Sequence, residues 1–112
     1  MIEKMKTLPT IVLCLAVSFM VLGCGSGIDS AKAATEFNTA NSLRETDKPK
    51  AIEHYGAAIQ ADPSMDEAYF NRALTYAEIG EVAKAESDLQ SLRDLKSEHA
   101  ETLDGLLSVV RQ

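Results

Sequence analysis

A spacing that recurs along the second half of the chain limits what it can fold into. Phe37-Asn38, Ala40 and Leu43 reappear as Phe70-Asn71, Ala73 and Tyr76, 33 positions on, and Ala51, Tyr55 and Ala58 reappear as Ala85, Leu89 and Leu92, 34 positions on. Two copies of one helical unit are therefore written in tandem, and the first copy lacks one residue in its turn, Thr46-Asp47-Lys48-Pro49. Each unit has an apolar face too small to be buried alone, so the copies must stack on each other. The spacing follows the helical period, with large apolar residues and alanines falling on one face, and strands are not expected.

Local signals divide the copies into helices. Ser64-Met65-Asp66-Glu67 reads as a capping box after Pro63 has ended the preceding helix, and Gly80 closes the helix that follows. Pro49 sits where a first helical turn needs no amide donor. Beyond Ser97 a fifth helix places Ala100, Leu103, Leu106, Leu107 and Val110 on one face and Glu101, Asp104, Ser108 and Arg111 on the other. One apolar face predicts a helix that caps the open end of the stack. Small residues at Ala40, Ala51, Ala73 and Ala85 let antiparallel helices approach closely while larger neighbours fill the space beside them.

The pattern resembles the tetratricopeptide repeat family, a helix-turn-helix unit of about 34 residues. The second copy carries it from Tyr69 through Ala73, Tyr76, Gly80, Ala85, Leu89 and Leu92. The first keeps Ala40, Ala51, Tyr55, Ala58 and Asp62-Pro63 but has Glu36 where the family prefers an aromatic, and Ser97 replaces the second closing proline. The resemblance implies an all-α fragment of an α-solenoid: repeat 1 over about 33–64, repeat 2 over about 65–98 and a capping helix over about 98–111, within a domain of residues 31–112.

The N-terminal residues read differently. Leu8 to Leu22 is a run of 15 residues without charge, preceded by Lys4 and Lys6 and followed by Gly23, the order of a secretory signal. As a helix it would reach about 22 Å, short of the roughly 30 Å hydrocarbon core, although an uncleaved anchor helix is the competing reading. The run ends in Val21-Leu22-Gly23-Cys24, which resembles the lipobox of bacterial lipoproteins. That resemblance implies a signal peptide over 1–23, cleavage before Cys24 and lipidation of its thiol, with 24–30 as a flexible tether. Cys14 would leave with the signal, so Cys24 has no partner for a disulfide. The three acyl chains implied would hold firmly where one chain would not. Gly25, not being aspartate, implies sorting to an outer membrane in a Gram-negative cell.

Composition narrows the function classes. The chain has 17 acidic and 11 basic side chains, a formal charge of −6; without residues 1–23 the 89 that remain carry 16 and 9, a net −7. Such a balance disfavours nucleic acid and gives no electrostatic attraction to anionic lipid, so membrane attachment must rest on the lipid anchor. His54 and His99 have no ligand partners at metal spacing and read as solvent-facing, and no phosphate loop or nucleophile elbow occurs. The chain is not expected to be an enzyme or to need a cofactor or metal.

What the repeat resemblance implies is binding of a protein or peptide in a concave groove lined by the first helix of each pair. Carried over, the groove positions are Ala34, Phe37, Asn38, Asn41 and Arg44 in copy one, and Glu67, Phe70, Asn71, Leu74 and Glu78 in copy two. Phe37 and Phe70 either pack within their own helix pairs or serve as apolar anchors for the partner. Asn41 and Asn71 match asparagines that grip chain-terminal carboxylates in some family members, but Phe37 stands at the first lysine position, and Thr102, Leu103 and Asp104 stand where basic residues would be needed. Carboxylate capture is therefore not expected. The leading expectation is a lipid-anchored adaptor at the bacterial envelope; the alternative is an assembly or piloting factor for a secretion, pilus or envelope complex. Whether two short stacks also pair through their ends is left open by the sequence.

Overall fold

The computed structural model describes residues 27–112; residues 1–23, expected to be a signal peptide, Cys24 and most of the expected tether lie outside the described residues. Five helices and no strands make up the described residues: α1 Ser30–Leu43, α2 Lys48–Ala61, α3 Asp66–Glu78, α4 Val82–Asp94 and α5 His99–Val110. The fold is all-α, two antiparallel hairpins (α1–α2 and α3–α4) stacked side by side, with α5 laid against α3 and α4.

Each boundary has a local cause. The Asp29 carboxylate accepts from the Lys32 amide at 2.9 Å to start α1, and Asp47 accepts from the Lys50 amide at 3.2 Å to start α2, with Pro49 in the first turn as expected. The expected capping box does not form. Met65 is the residue preceding α3 and contributes no side-chain cap, because Ser64 is turned back and its hydroxyl donates to Asp62 at 2.6 Å. Asp66 and Glu67 instead occupy the first turn, where carboxylates oppose the positive end of the helix dipole.

Helix α3 stops in a left-handed turn at Gly80, φ +83°, where the Glu81 amide reaches back to the Tyr76 carbonyl at 2.8 Å and the Gly80 amide to Ala77 at 3.1 Å. Helix α4 stops the same way around Lys96, φ +56°, with Ser97 donating to Leu92 and Lys96 to Arg93, both at 3.0 Å.

The alanines expected to carry the helix crossings are fully buried. Ala40, Ala51 and Tyr55 form one core with Phe37 and Leu43 packed on it. Ala73, Ala85, Leu89 and Leu92 form a second, which Leu103 and Leu107 of α5 complete. Both sets of three repeated positions in the second helices, Ala51, Tyr55, Ala58 and Ala85, Leu89, Leu92, are at 0% exposure.

A polar bridge crosses each hairpin beside these cores. In the first, His54 Nδ1 lies 2.6 Å from the Glu36 carboxylate, which accounts for Glu36 at the position where the family prefers an aromatic. His54 is thus half-buried against a partner rather than free in solvent. In the second hairpin the equivalent position, Asp88, accepts two hydrogen bonds from Arg72 at 2.6 and 2.9 Å. The Arg72 guanidinium also lies 5.9 Å from the Tyr69 ring and 5.8 Å from the Tyr76 ring. Burial works against the charge on both partners and lifts the Asp88 carboxyl above its ordinary range, while the paired hydrogen bonds keep Arg72 protonated.

The capping helix covers less than its sequence implied. Leu103 and Leu107 are buried and Ala100 half-buried, but Leu106 and Val110, expected on the covered face, are each 48% exposed, and Val109 is 69% exposed. The buried line is Leu103–Leu107, and helical spacing puts Leu106 and Val110 on one side of it and Asp104 and Arg111 on the other. Rather than facing solvent alone, the latter two reach α4, Asp104 to Arg93 at 3.1 Å and Arg111 to Glu86 at 2.5 and 2.8 Å, while Leu106 and Val110 stand on the opposite side of the buried line. At the start of α5 the Ser97 hydroxyl donates to Asp66 at 2.5 Å, tying the last turn to the first residue of α3. This hydrogen bond holds the Asp66 carboxyl below the usual carboxylate range.

Two outcomes follow from these polar contacts. Arg72→Met leaves Asp88 buried without its partner and is expected to lower unfolding free energy in urea by about 3–5 kcal/mol, with most of the loss recovered in Arg72→Met/Asp88→Leu. Because Asp66 titrates lower folded than unfolded, its contribution is present above the unfolded value near pH 4 and is lost as pH falls through the folded value. Ser97→Ala should therefore move the acid-unfolding midpoint, followed by circular dichroism, to higher pH.

Candidate concave binding face

The first helices run parallel to one another. Asp66 meets Ser97 at the start of α3 and α5, Asn41 in the last turn of α1 meets Asn71 midway along α3, and Arg44 just past the end of α1 meets Glu78 at the end of α3. This arrangement follows from the antiparallel pairing within each hairpin, and it aligns α1, α3 and α5 as the walls of one face.

Across that face the side chains form a ladder. Asn41 Oδ1 accepts from the Tyr55 hydroxyl at 2.6 Å and from Asn71 Nδ2 at 3.1 Å, so the two asparagines are joined to each other and to the core of the first hairpin. Burial pushes the Tyr55 hydroxyl above its ordinary pKa, so it stays a donor across the physiological range. One turn on, Arg44 pairs with Glu78, which also lies 3.8 Å from Lys48 at the start of α2. Two cations thus face one carboxylate at this edge.

Beside the ladder lies an open pocket of about 250 Å³ lined by Leu74, Ala77, Glu78, Leu106, Leu107 and Val110. Its walls are apolar apart from Glu78, the composition expected of a site that takes an apolar side chain and fixes it with few polar groups. The pocket exists because α5 is placed as described, leaving Leu106 and Val110 uncovered at its rim.

The structure joins some of the sequence-derived groove residues and separates others. Asn41, Asn71, Arg44, Leu74 and Glu78 are brought together. Phe37 is half-buried against Tyr55, ring centroids 5.9 Å apart, and packs on its own hairpin core. Phe70 is half-buried on the second core and lies 5.1 Å from the His99 ring, so His99 too has a partner and is not simply solvent-facing. Ala34, Asn38 and Glu67 are exposed and make no side-chain hydrogen bond or ion pair among the described residues.

Ala77, Leu106 and Val110 were not among the groove residues derived from sequence. Ala77 was legible, since the 33-residue offset that takes Asn41 to Leu74 takes Arg44 to Ala77. Leu106 and Val110 were assigned to a covered face, and only the roll of α5 makes them pocket walls. Among the described residues no group of three His, Cys, Asp or Glu side chains is placed to hold a metal ion, and no helix is long and apolar enough to cross a membrane.

Compared with known proteins, residues 48–80 match the family model described as TPR repeat. The match takes in α2, α3 and the turn that joins them, and so includes the parts of both copies that contribute Tyr55, Asn71, Leu74, Ala77 and Glu78. No curated protein and no solved structure matches the chain. Over the matched residues the chain is similar to the tetratricopeptide repeat family, and the five-helix arrangement around them is that of a short helical-repeat fragment.

Proposed function

We propose that this protein is a lipid-anchored adaptor that holds a protein or peptide partner against the face formed by α1, α3 and α5. The observation that carries the reading is the apolar pocket bounded by Leu74, Ala77, Leu106 and Val110, set beside the Asn41–Asn71 ladder. An apolar side chain of the partner enters the pocket, and the asparagine amides offer a donor and an acceptor to its backbone. The similarity of residues 48–80 to a repeat family whose members bind proteins supports the same reading. Anchoring rests on Cys24 and the signal-like segment before it, and places the protein at a bacterial envelope, on the periplasmic side of the outer membrane in a Gram-negative cell.

No catalytic step is assigned. The polar groups of the face are amides and paired ions, and none is a nucleophile activated by a neighbouring base.

The proposal is tested by crosslinking and pull-down from intact membranes. Asn71→Ala with Ala77→Gln removes one rung and fills the pocket, and partner capture should drop at least tenfold at unchanged helicity. Undiminished capture would move the binding surface elsewhere. Cys24→Ser should shift the protein into the soluble fraction with its helices intact, whereas retention in the membrane would favour an uncleaved anchor helix.

A further inference from the structure

One pair of equivalent positions is filled by different chemistry in the two copies. Asn41 and Tyr55 of the first recur as Leu74 and Leu89 in the second, so a polar pair is exchanged whole for an apolar one. Tyr55 and Leu89 are both fully buried, and Leu89 shows that the core can be filled here without a hydroxyl. A buried hydroxyl costs free energy unless its proton finds an acceptor. Among the described residues the Tyr55 hydroxyl donates to Asn41 Oδ1, at 2.6 Å. Leu74 needs no such support and is a wall of the apolar pocket.

We infer that Tyr55 is a positioning residue for the binding face: its hydroxyl holds the Asn41 carbonyl inward, so that α1 turns N–H donors, and α3 a carbonyl acceptor, toward the partner. The inference rests on the binding role proposed above for this face. A side-chain carbonyl has two lone pairs, and both of those on Asn41 are taken, by the Tyr55 hydroxyl and by Asn71 Nδ2 at 3.1 Å. Asn41 Nδ2 and Asn71 Oδ1 have no hydrogen-bond partner among the described residues, and Asn41 is exposed. Turning the Asn41 amide about would set its N–H groups against the phenol and take that acceptor from the hydroxyl proton, at a residue with 0% exposure. The order of donor and acceptor is therefore set before a partner arrives. A main-chain peptide unit, which carries one acceptor and one donor, uses both without further ordering of the face.

The first test needs no partner and uses the full chain in detergent micelles, with exchange of the asparagine side-chain amides followed by NMR. Asn71 donates within the ladder and Asn41 does not, so the Asn71 amide should exchange with water about 2- to 10-fold more slowly, the factor one net hydrogen bond supplies. Tyr55→Phe keeps the ring in the core and frees Asn41 to turn, so it should narrow this gap at unchanged helicity. Asn71 is also half-buried, but slowing from burial alone would survive that change. Slower exchange at Asn41 than at Asn71 overturns the proposal, as does a gap that Tyr55→Phe leaves untouched.

The second test is capture in the membrane pull-down. Asn41→Asp keeps an acceptor for Tyr55 and Asn71 but has no amide protons, so capture should fall about tenfold, a donor having become an unpaired acceptor, while helicity holds. Tyr55→Phe should lower capture in the same direction. If Asn71→Ala with Ala77→Gln lowers capture and these two variants do not, the binding face stands and the role given to Tyr55 is overturned. If none of the three lowers it, the face itself falls and that role falls with it.

Discussion

Close approach of antiparallel helices at alanine is the contact on which the rest of this fold depends. Ala40 against Ala51 and Ala73 against Ala85 are fully buried, and a larger side chain at any of them would push the helix axes apart. With the axes held close, Tyr55, Leu89 and Leu92 fill the space beside each crossing and the two hairpins acquire the same shape. Equal shape lets them stack in register, and that register aligns α1, α3 and α5 on one side.

The polar contacts refine that frame more than they create it. His54 with Glu36 and Asp88 with Arg72 come from equivalent positions of the second helices and bridge each hairpin by different chemistry. A buried ion pair is costly to desolvate, so Arg72 and Asp88 set the relation of α3 to α4 more than they add to stability. On α5 the exposed ion pairs to Arg93 and Glu86 accompany the burial of Leu103 and Leu107, which sets the side of the helix left in water. The pocket wall of Leu106 and Val110 follows from that placement.

Much of this was legible in the residues. The repeat offset, the alanines at the crossings, the left-handed stop at Gly80 and the start at Pro49 all act within a few positions of the residue that causes them, or depend on a periodicity that any stacked arrangement must respect. The helix stop at Lys96 was not legible, because a lysine gives no sign of a left-handed conformation. Nor was the failure of the Ser64 cap, where the Asp62 carboxylate two residues back competed successfully for the hydroxyl.

The sequence by itself determined that the chain makes paired helices, where most of them begin and end, and which side chains fill the two cores; periodicity and small-residue spacing are local properties that packing can satisfy in one way. Only the tertiary structure decided how far α5 rolls, that Asn41 and Asn71 join across two helices, and that Phe37 and Phe70 pack on their own cores. Those outcomes depend on distances between elements remote in the chain. They follow from contacts between helices, which no single segment contains.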